Sequence, residues 1–174
     1  MPRTLICLGA NIGQREETLA SATVALAELG QVDAASRVYE TPPAYVTEQP
    51  AFLNAAVLLH TRLSPNALLA ALLDIERRHG RTRGLRFGPR TLDLDIAVYE
   101  TVCVDDDALT LPHPRLSERA FVLVPIAELW PSWRHPLLGS TLAELRDRLP
   151  TAETNALVPR TDLVLSTTSR SANA

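Results

Sequence analysis

Lysine is missing altogether: the seventeen arginines account for the whole Lys+Arg total of this 174-residue chain. That absence removes several chemistries at once. A Walker-type loop needs a lysine beside its glycines, a protein kinase needs its strand lysine, and a Schiff-base enzyme needs the amine itself. Cysteine is scarce as well. Cys7 and Cys103 stand far apart with no CxxC spacing, which argues against a zinc site or a disulfide framework and leaves buried thiols, Cys7 being expected in the core. No apolar stretch approaches the ~18 residues of a membrane span, and the run at the start is too short for a secretory signal. A soluble, cytoplasmic protein without a membrane partner is expected. Positive charge is not in excess, with a net charge of −3 and pI ≈ 5.8. A generally basic nucleic-acid binder is therefore disfavoured, although local basic sites have to be read separately.

What is present, 46% hydrophobic residues, suffices for one globular domain with a real core. Residues 1–150 are assigned to that domain. Residues 151–174, poor in aromatics and ending in a Ser/Thr-rich stretch, read as a mobile C-terminal tail, with docking of Val158 to Leu165 as an edge strand left open.

Leu5 to Leu8 reads as a buried strand, and Leu19, Ala22, Leu26 and Leu29 then recur at helical spacing until Gly30. Val32 to Tyr39 and Phe52 to Leu59 are strand-like, separated by Thr41-Pro42-Pro43, whose prolines force an extended loop. Ser64-Pro65 supplies a cap and a proline at the first helical position, and Leu68, Leu69, Leu72, Leu73 and Ile75 give a helix ending near Gly80. Thr91 to Tyr99 alternates apolar residues with Asp93 and Asp95, the period-two signature of a strand. The order is βαββαβ, an α+β, ferredoxin-like core in which an antiparallel sheet carries both helices on one face. Beyond it, short strands at Val102 to Val104 and Leu109 to Leu111, a helix capped by Ser117 and running toward Glu128, and a short helix after Ser140 are expected.

Chemistry concentrates in three places. Arg77, Arg78, Arg81, Arg83, Arg86 and Arg90 put six arginines within fourteen residues, with no acid between Arg77 and Leu92. Such a run is either a solvated helix end or an anion site. Asp93 and Asp95, two apart on a strand, point to the same face about 7 Å apart. They are either solvent-facing partners of the arginines or a pair that a hard divalent cation, naturally Mg²⁺, neutralises. Arginine forks beside a carboxylate-held metal are what phosphoryl transfer needs. Phe52 and Asn54 share a strand face and combine a flat aromatic with an amide that donates and accepts, which suits a planar heterocycle as well as it suits a core. Leu111-Pro112-His113-Pro114-Arg115 presents His113 on a prolyl turn, with Arg119 and Phe121 close behind.

Taken together, these motifs resemble the 6-hydroxymethyl-7,8-dihydropterin pyrophosphokinase family over about residues 4 to 136. The resemblance rests on Leu8-Gly9-Ala10-Asn11-Ile12-Gly13, Tyr39-Glu40-Thr41-Pro42-Pro43, Gln49-Pro50-Ala51-Phe52-Leu53-Asn54 and the His113 segment. It rests most on Gly80-Arg81-Thr82-Arg83 followed by Arg86-Phe87-Gly88-Pro89-Arg90-Thr91-Leu92-Asp93-Leu94-Asp95. It implies a ferredoxin-like fold and transfer of pyrophosphate from ATP to a pterin alcohol in folate biosynthesis. By the same resemblance, Asp93 and Asp95 hold two Mg²⁺ ions, Arg81 and Arg90 stabilise charge during transfer, and Glu76, Arg83, Arg86, His113 and Arg119 contact the nucleotide. The pterin is expected between Phe52 and Phe121, with Asn54 at its polar edge, Thr41, Pro42, Pro43 and Ala44 lining the pocket, and Phe87 supplying an aromatic where tryptophan is frequent. Both ligands are small molecules, no nucleic acid is implied, and a monomer is expected. Two other readings stand beside this one: a metal-dependent nucleotidyltransferase or nuclease, and a non-catalytic ferredoxin-like module whose arginines bind an acidic partner.

Overall fold

The computed structural model describes residues 1–44, 47–81 and 90–167. Strand β1 (Arg3–Ala10) is central, and helix α1 (Arg15–Leu26) follows it. Leu19, Ala22 and Leu26 of α1 are buried as the spacing predicts, but the helix stops short of Leu29. The N–H groups of Ala27, Glu28 and Leu29 bond to carbonyls three residues back, a tighter turn that ends the helix. The strand expected over Val32 to Tyr39 is two, β2 (Gly30–Ala35) and β3 (Tyr39–Thr41), both antiparallel to β4 (Phe52–Thr61). Ala35 faces Val57 and Tyr39 faces Asn54, so four steps on one side match three on the other, and the surplus residue breaks the ladder. Helix α2 (Pro65–Arg78) has Ser64 accepting from Ala67 N–H at 3.3 Å, and Gly80, at φ +77°, turns the chain out of it.

Strand β5 (Asp93–Tyr99) pairs with β1, which completes the order β5-β1-β4-β3, with β2 continuing the β3 line along β4. This is the arrangement expected of the βαββαβ core. One sheet face, with Ile6, Leu8, Leu53, Ala55, Leu94 and Ile96, is covered by α1 and α2 through Leu19, Leu26, Leu68, Leu72 and Ile75. Each fully buried leucine or isoleucine there contributes about 1.5–3 kcal/mol relative to exposure. The opposite face, with Leu5, Ala56, Ala97 and Val98, packs on α3 (Ala120–Leu129) through Val122, Leu123 and Ile126, and α4 (Leu142–Asp147) adds Leu142 and Leu145.

The short strands fall at β6 (Val104–Asp105) and β7 (Thr110–Leu111), which pair with each other. Ser117 is not the cap of α3. The N-cap is Arg119, whose carbonyl takes the first helical bonds without side-chain help. The short helix after Ser140 is α4, and Thr141 and Glu144 close a capping box at its start. Past residue 150 the chain forms α5 (Thr151–Asn155) and β8 (Val158–Pro159), and β8 pairs with β3. Leu157 and Leu165 are buried, and Arg160 donates its N–H to Val38 O and pairs with Glu16, Glu40 and Asp162. The docked edge strand is thus two residues long, and residues 168–174 lie outside the described residues. No helix among the described residues is long and apolar enough to cross a membrane.

Candidate active site

Three strands bring the chemistry together in register. Gly9 on β1 faces Asn54 of β4 on one side and Asp93 of β5 on the other. One pair further along, Cys7 faces Ala56 and Asp95, and Phe52 faces Thr41 across β4 and β3. These residues belong to the sheet face that α3 covers only in part. Beyond the helix the face opens into a cleft, about 800 Å³ of empty space when the open solvent at its mouth is included.

Of the residues predicted from sequence, Thr41, Pro42, Ala44, Phe52, Asn54, Arg90, Asp93, Asp95, Arg119 and Phe121 line this one cleft. Pro43, Glu76, Arg81 and His113 do not line it, and Arg83, Arg86 and Phe87 lie outside the described residues. Cys7, Leu8, Gly9, Gln49 and Val122 line it without having been expected to. Cys7 is partly buried, packed against the core beneath α3 while also lining the cleft, and Cys103 is exposed rather than buried. The apolar run around Cys7 hides the alternation: Ile6 and Leu8 face α1 and α2, while the thiol faces the cleft. Burial and the nearby Asp95 and Asp93 charges push the Cys7 thiol well above its ordinary range, which makes it an unreactive wall.

Gly9 is required by close approach. A Cβ there would sit 2.9 Å from Asn54 Oδ1, inside van der Waals contact. Asn54 is itself fixed, its Nδ2 donating to Thr41 Oγ1 at 2.7 Å, and both residues are buried.

The acidic pair is asymmetric. Asp93 accepts from Arg81 Nη1 at 2.7 Å through Oδ1 and from Arg90 Nη1 through Oδ2. Asp95 has no ion pair among the described residues. Its side chain is exposed at the cleft. Desolvation by the protein around it, then the charges of Asp93 and Glu76, raise its pKa to about 7. Such a pair is short of positive charge and offers hard oxygen donors, so it fits Mg²⁺. The described residues hold no cluster of three or more His, Cys, Asp or Glu that would cage a metal, and an ion here would complete its shell with water and phosphate oxygens.

Glu76 lies beneath the cleft. It is buried on α2, where it accepts from Leu94 N–H on the open edge of β5 at 2.7 Å and from Arg81. Burial raises its pKa, and these donors oppose the shift. Arg81 thus bridges two acids, and its guanidinium holds Asp93 from behind. His113 follows the cis Leu111-Pro112 bond, donates its N–H to Ala97 O and accepts from Arg115 N–H at Nδ1, 3.2 Å away. Burial, then Arg119, lowers its pKa to about 4, so the ring is neutral at physiological pH with its proton on Nε2. The Arg119 guanidinium stands over the Phe121 ring at 5.8 Å.

A ferredoxin-like sheet whose cleft gathers a carboxylate pair and arginines with Phe52, Asn54 and Phe121 has the make-up of a class, the α+β transferases that handle phosphate groups. Residues 5–131 match the family described as 7,8-dihydro-6-hydroxymethylpterin-pyrophosphokinase (HPPK), and the chain belongs to that family. Its members transfer pyrophosphate from ATP to hydroxymethyldihydropterin in folate synthesis, and such kinases generally need Mg²⁺. A 2-amino-4-hydroxy-6-hydroxymethyldihydropteridine pyrophosphokinase from Methylorubrum extorquens is 47% identical over 133 residues, 75% of this chain and 84% of the relative. A mitochondrial folate synthesis bifunctional protein of Pisum sativum is 47% identical over 126 residues, 72% of this chain but 24% of the relative. The chain thus spans about a quarter of that fusion protein. Wild-type Plasmodium falciparum HPPK-DHPS, solved with pteroate, superposes with a TM-score of 0.66 at 16% identity, covering 84% of this chain and 42% of that one. This last likeness concerns the fold alone.

Proposed function

We propose that this chain passes the diphosphate of ATP to 6-hydroxymethyl-7,8-dihydropterin, giving AMP and the pterin diphosphate, and that the cleft just described is where it does so. The observation that carries the reading is the row Asp93, Gly9, Asn54 across β5, β1 and β4. It puts Asp93 and Asn54 two strands apart on one sheet face, which supports a phosphate site beside a ring site.

In this reading the pterin lies between Phe52 and Phe121. Asn54, having given one N–H to Thr41, offers its remaining N–H and its carbonyl oxygen to the polar edge of the ring, and Thr41, Pro42, Pro43 and Ala44 wall the slot. Phe87 is assigned an aromatic contact. Glu76, Arg83, Arg86, His113 and Arg119 serve the nucleotide, Glu76 by holding Arg81 and the edge of β5. Neutral His113 acts as a hydrogen-bond donor through Nε2, not as a cation. Two Mg²⁺ ions on Asp93 and Asp95 would supply charge neutralisation and orientation of the phosphates. The pterin hydroxyl oxygen forms its bond to the β-phosphorus as the bond from that phosphorus to the α,β-bridging oxygen breaks, and the electron pair leaves with AMP. The hydroxyl proton passes to solvent. Arg90, released from Asp93 as phosphate takes its donors, meets the charge developing on the transferred oxygens, and Arg81, held by Glu76 behind Asp93, adds its positive charge from the back of the acidic pair. A monomer in the cytoplasm suffices, since the described cleft is built within one chain.

Incubation of the purified protein with ATP, Mg²⁺ and the dihydropterin alcohol tests this. AMP and a pterin diphosphate are expected in equal amounts; ADP, or no turnover, would refute it. The nuclease alternative predicts salt-sensitive polynucleotide binding, and the interaction-module alternative predicts no Mg²⁺-dependent binding of a non-hydrolysable ATP analogue.

A further inference from the structure

Asn11 lies just past β1, is 1% exposed, and spends its amide on the segments that border the cleft from two sides. Its Nδ2 donates to Gln49 Oε1 at 3.0 Å and to Pro50 O at 3.1 Å. Its Oδ1 accepts from Arg90 N–H at 2.8 Å, and its own N–H donates to Arg90 O at 3.1 Å. The orientation of the amide is not arbitrary. A proline carbonyl only accepts and a backbone N–H only donates, so the nitrogen must face Pro50 and the oxygen must face Arg90. No other side chain type offers both ends at this size.

The two segments so joined have different tasks. Gln49 and Pro50 run into Phe52 and Asn54, and Ala51 between them is gripped through its carbonyl by Arg15 Nη1 at 2.8 Å. Arg90 runs into Asp93, which its side chain also pairs. The donor end of Asn11 therefore fixes the ring-binding wall, and the acceptor end fixes the phosphate-binding wall.

We propose that Asn11 is a positioning residue that holds these two walls in mutual register, each end of its amide serving one substrate. The inference rests on the proposed function of the cleft. Its signature is a split that general loosening of the fold does not give. Asn11→Asp keeps the acceptor for Arg90 N–H but turns an oxygen toward Pro50 O, so it breaks the ring side alone. Asn11→Ala breaks both.

The test is steady-state kinetics on the full-length protein with each substrate varied in turn, beside thermal melts. For Asn11→Asp, which loses both hydrogen bonds of Nδ2, KM for the pterin is expected to rise at least about ten-fold, with KM for ATP held within about two-fold. Gln49→Ala should fall on the same side, and the Asn11→Asp/Gln49→Ala double variant should be no worse than the single one. Asn11→Ala should raise both KM values. If Asn11→Asp moves both KM values in equal proportion, or moves neither, the proposal is overturned; should Asn11→Ala fail to fold, the aspartate and Gln49 variants decide it alone. Lack of turnover by the unaltered protein would instead sink the proposed function, so the two failures are distinct.

Discussion

Adding a single methyl group at Gly9 tests whether the cleft is built to atomic tolerance. In Gly9→Ala the new Cβ would lie 2.9 Å from Asn54 Oδ1, so the amide must rotate away. Rotation gives up the 2.7 Å bond to Thr41 Oγ1 and misdirects the group assigned to the ring's polar edge. Losing one or two such bonds in a buried site costs about 1–3 kcal/mol, or about 5- to 150-fold in kcat/KM for the pterin. Stability should fall with it, because Asn54 and Thr41 are buried and bonded in the fold itself, and the lost bond outweighs the about 0.4–1 kcal/mol that alanine gains by stiffening the unfolded chain. The expected signature is therefore a crippled pterin KM, an unaltered ATP KM and a melting temperature that is unchanged or lower. Kinetics with each substrate varied, together with a thermal melt, reads all three. A pterin KM within about two-fold of the original, or an ATP KM that rises in step, would refute the reasoning.

Three further outcomes follow from the same geometry. Asp95→Asn should lose Mg²⁺-dependent turnover by at least about 10³-fold, the loss of several kcal/mol of charge stabilisation, while remaining folded by circular dichroism; residual activity near the original level would place the metal elsewhere. For His113 the folded pKa, about 4, lies below the ordinary 6.5. The unfolded chain then takes the proton first, so stability is full above pH 6.5 and falls as pH drops toward 4, by up to about 3 kcal/mol. Urea denaturation of His113→Gln should show a flatter profile across that window, and parallel profiles would contradict the assignment. Arg160→Met should loosen β8 from β3, read as faster amide exchange at Arg160 and in the neighbouring β3–β8 pairing; unchanged exchange there would mean that the backbone pairing alone holds the strap.

Much of this fold was legible because its signals are local. The alternation around Asp93 and Asp95, the Ser64-Pro65 cap and the leucine face of α2 each state their own structure, and together they give the strand order. Ten of the residues expected in the site meet in one cleft, and for Phe52, Asn54, Asp93 and Asp95 the reason is period-two spacing on β4 and β5, which sends their side chains to one face. What escaped is non-local. The surplus residue between β2 and β3 shows only against β4. Gly9 matters through neighbours on two other strands, and Asn11 through segments 38 and 79 residues away. The docking of β8 depends on an exposed edge of β3 that no window of sequence reveals. Cys7 misled for a related reason, since an unbroken apolar run conceals which of its members faces the ligand.

The row Asp93, Gly9, Asn54 also acts as a ruler. Neighbouring strands lie about 4.8 Å apart, so the carboxylate and the amide are separated at the backbone by two strand spacings, about 10 Å. That gap is written in hydrogen-bond ladders and not in side chains, and substitution cannot lengthen or shorten it by degrees. A slip of β5 or β4 by one residue would throw Asp93 or Asn54 to the opposite face. In the proposed function the reach between the two ligands is therefore set by the sheet, and side-chain substitution acts only on the walls around a fixed span.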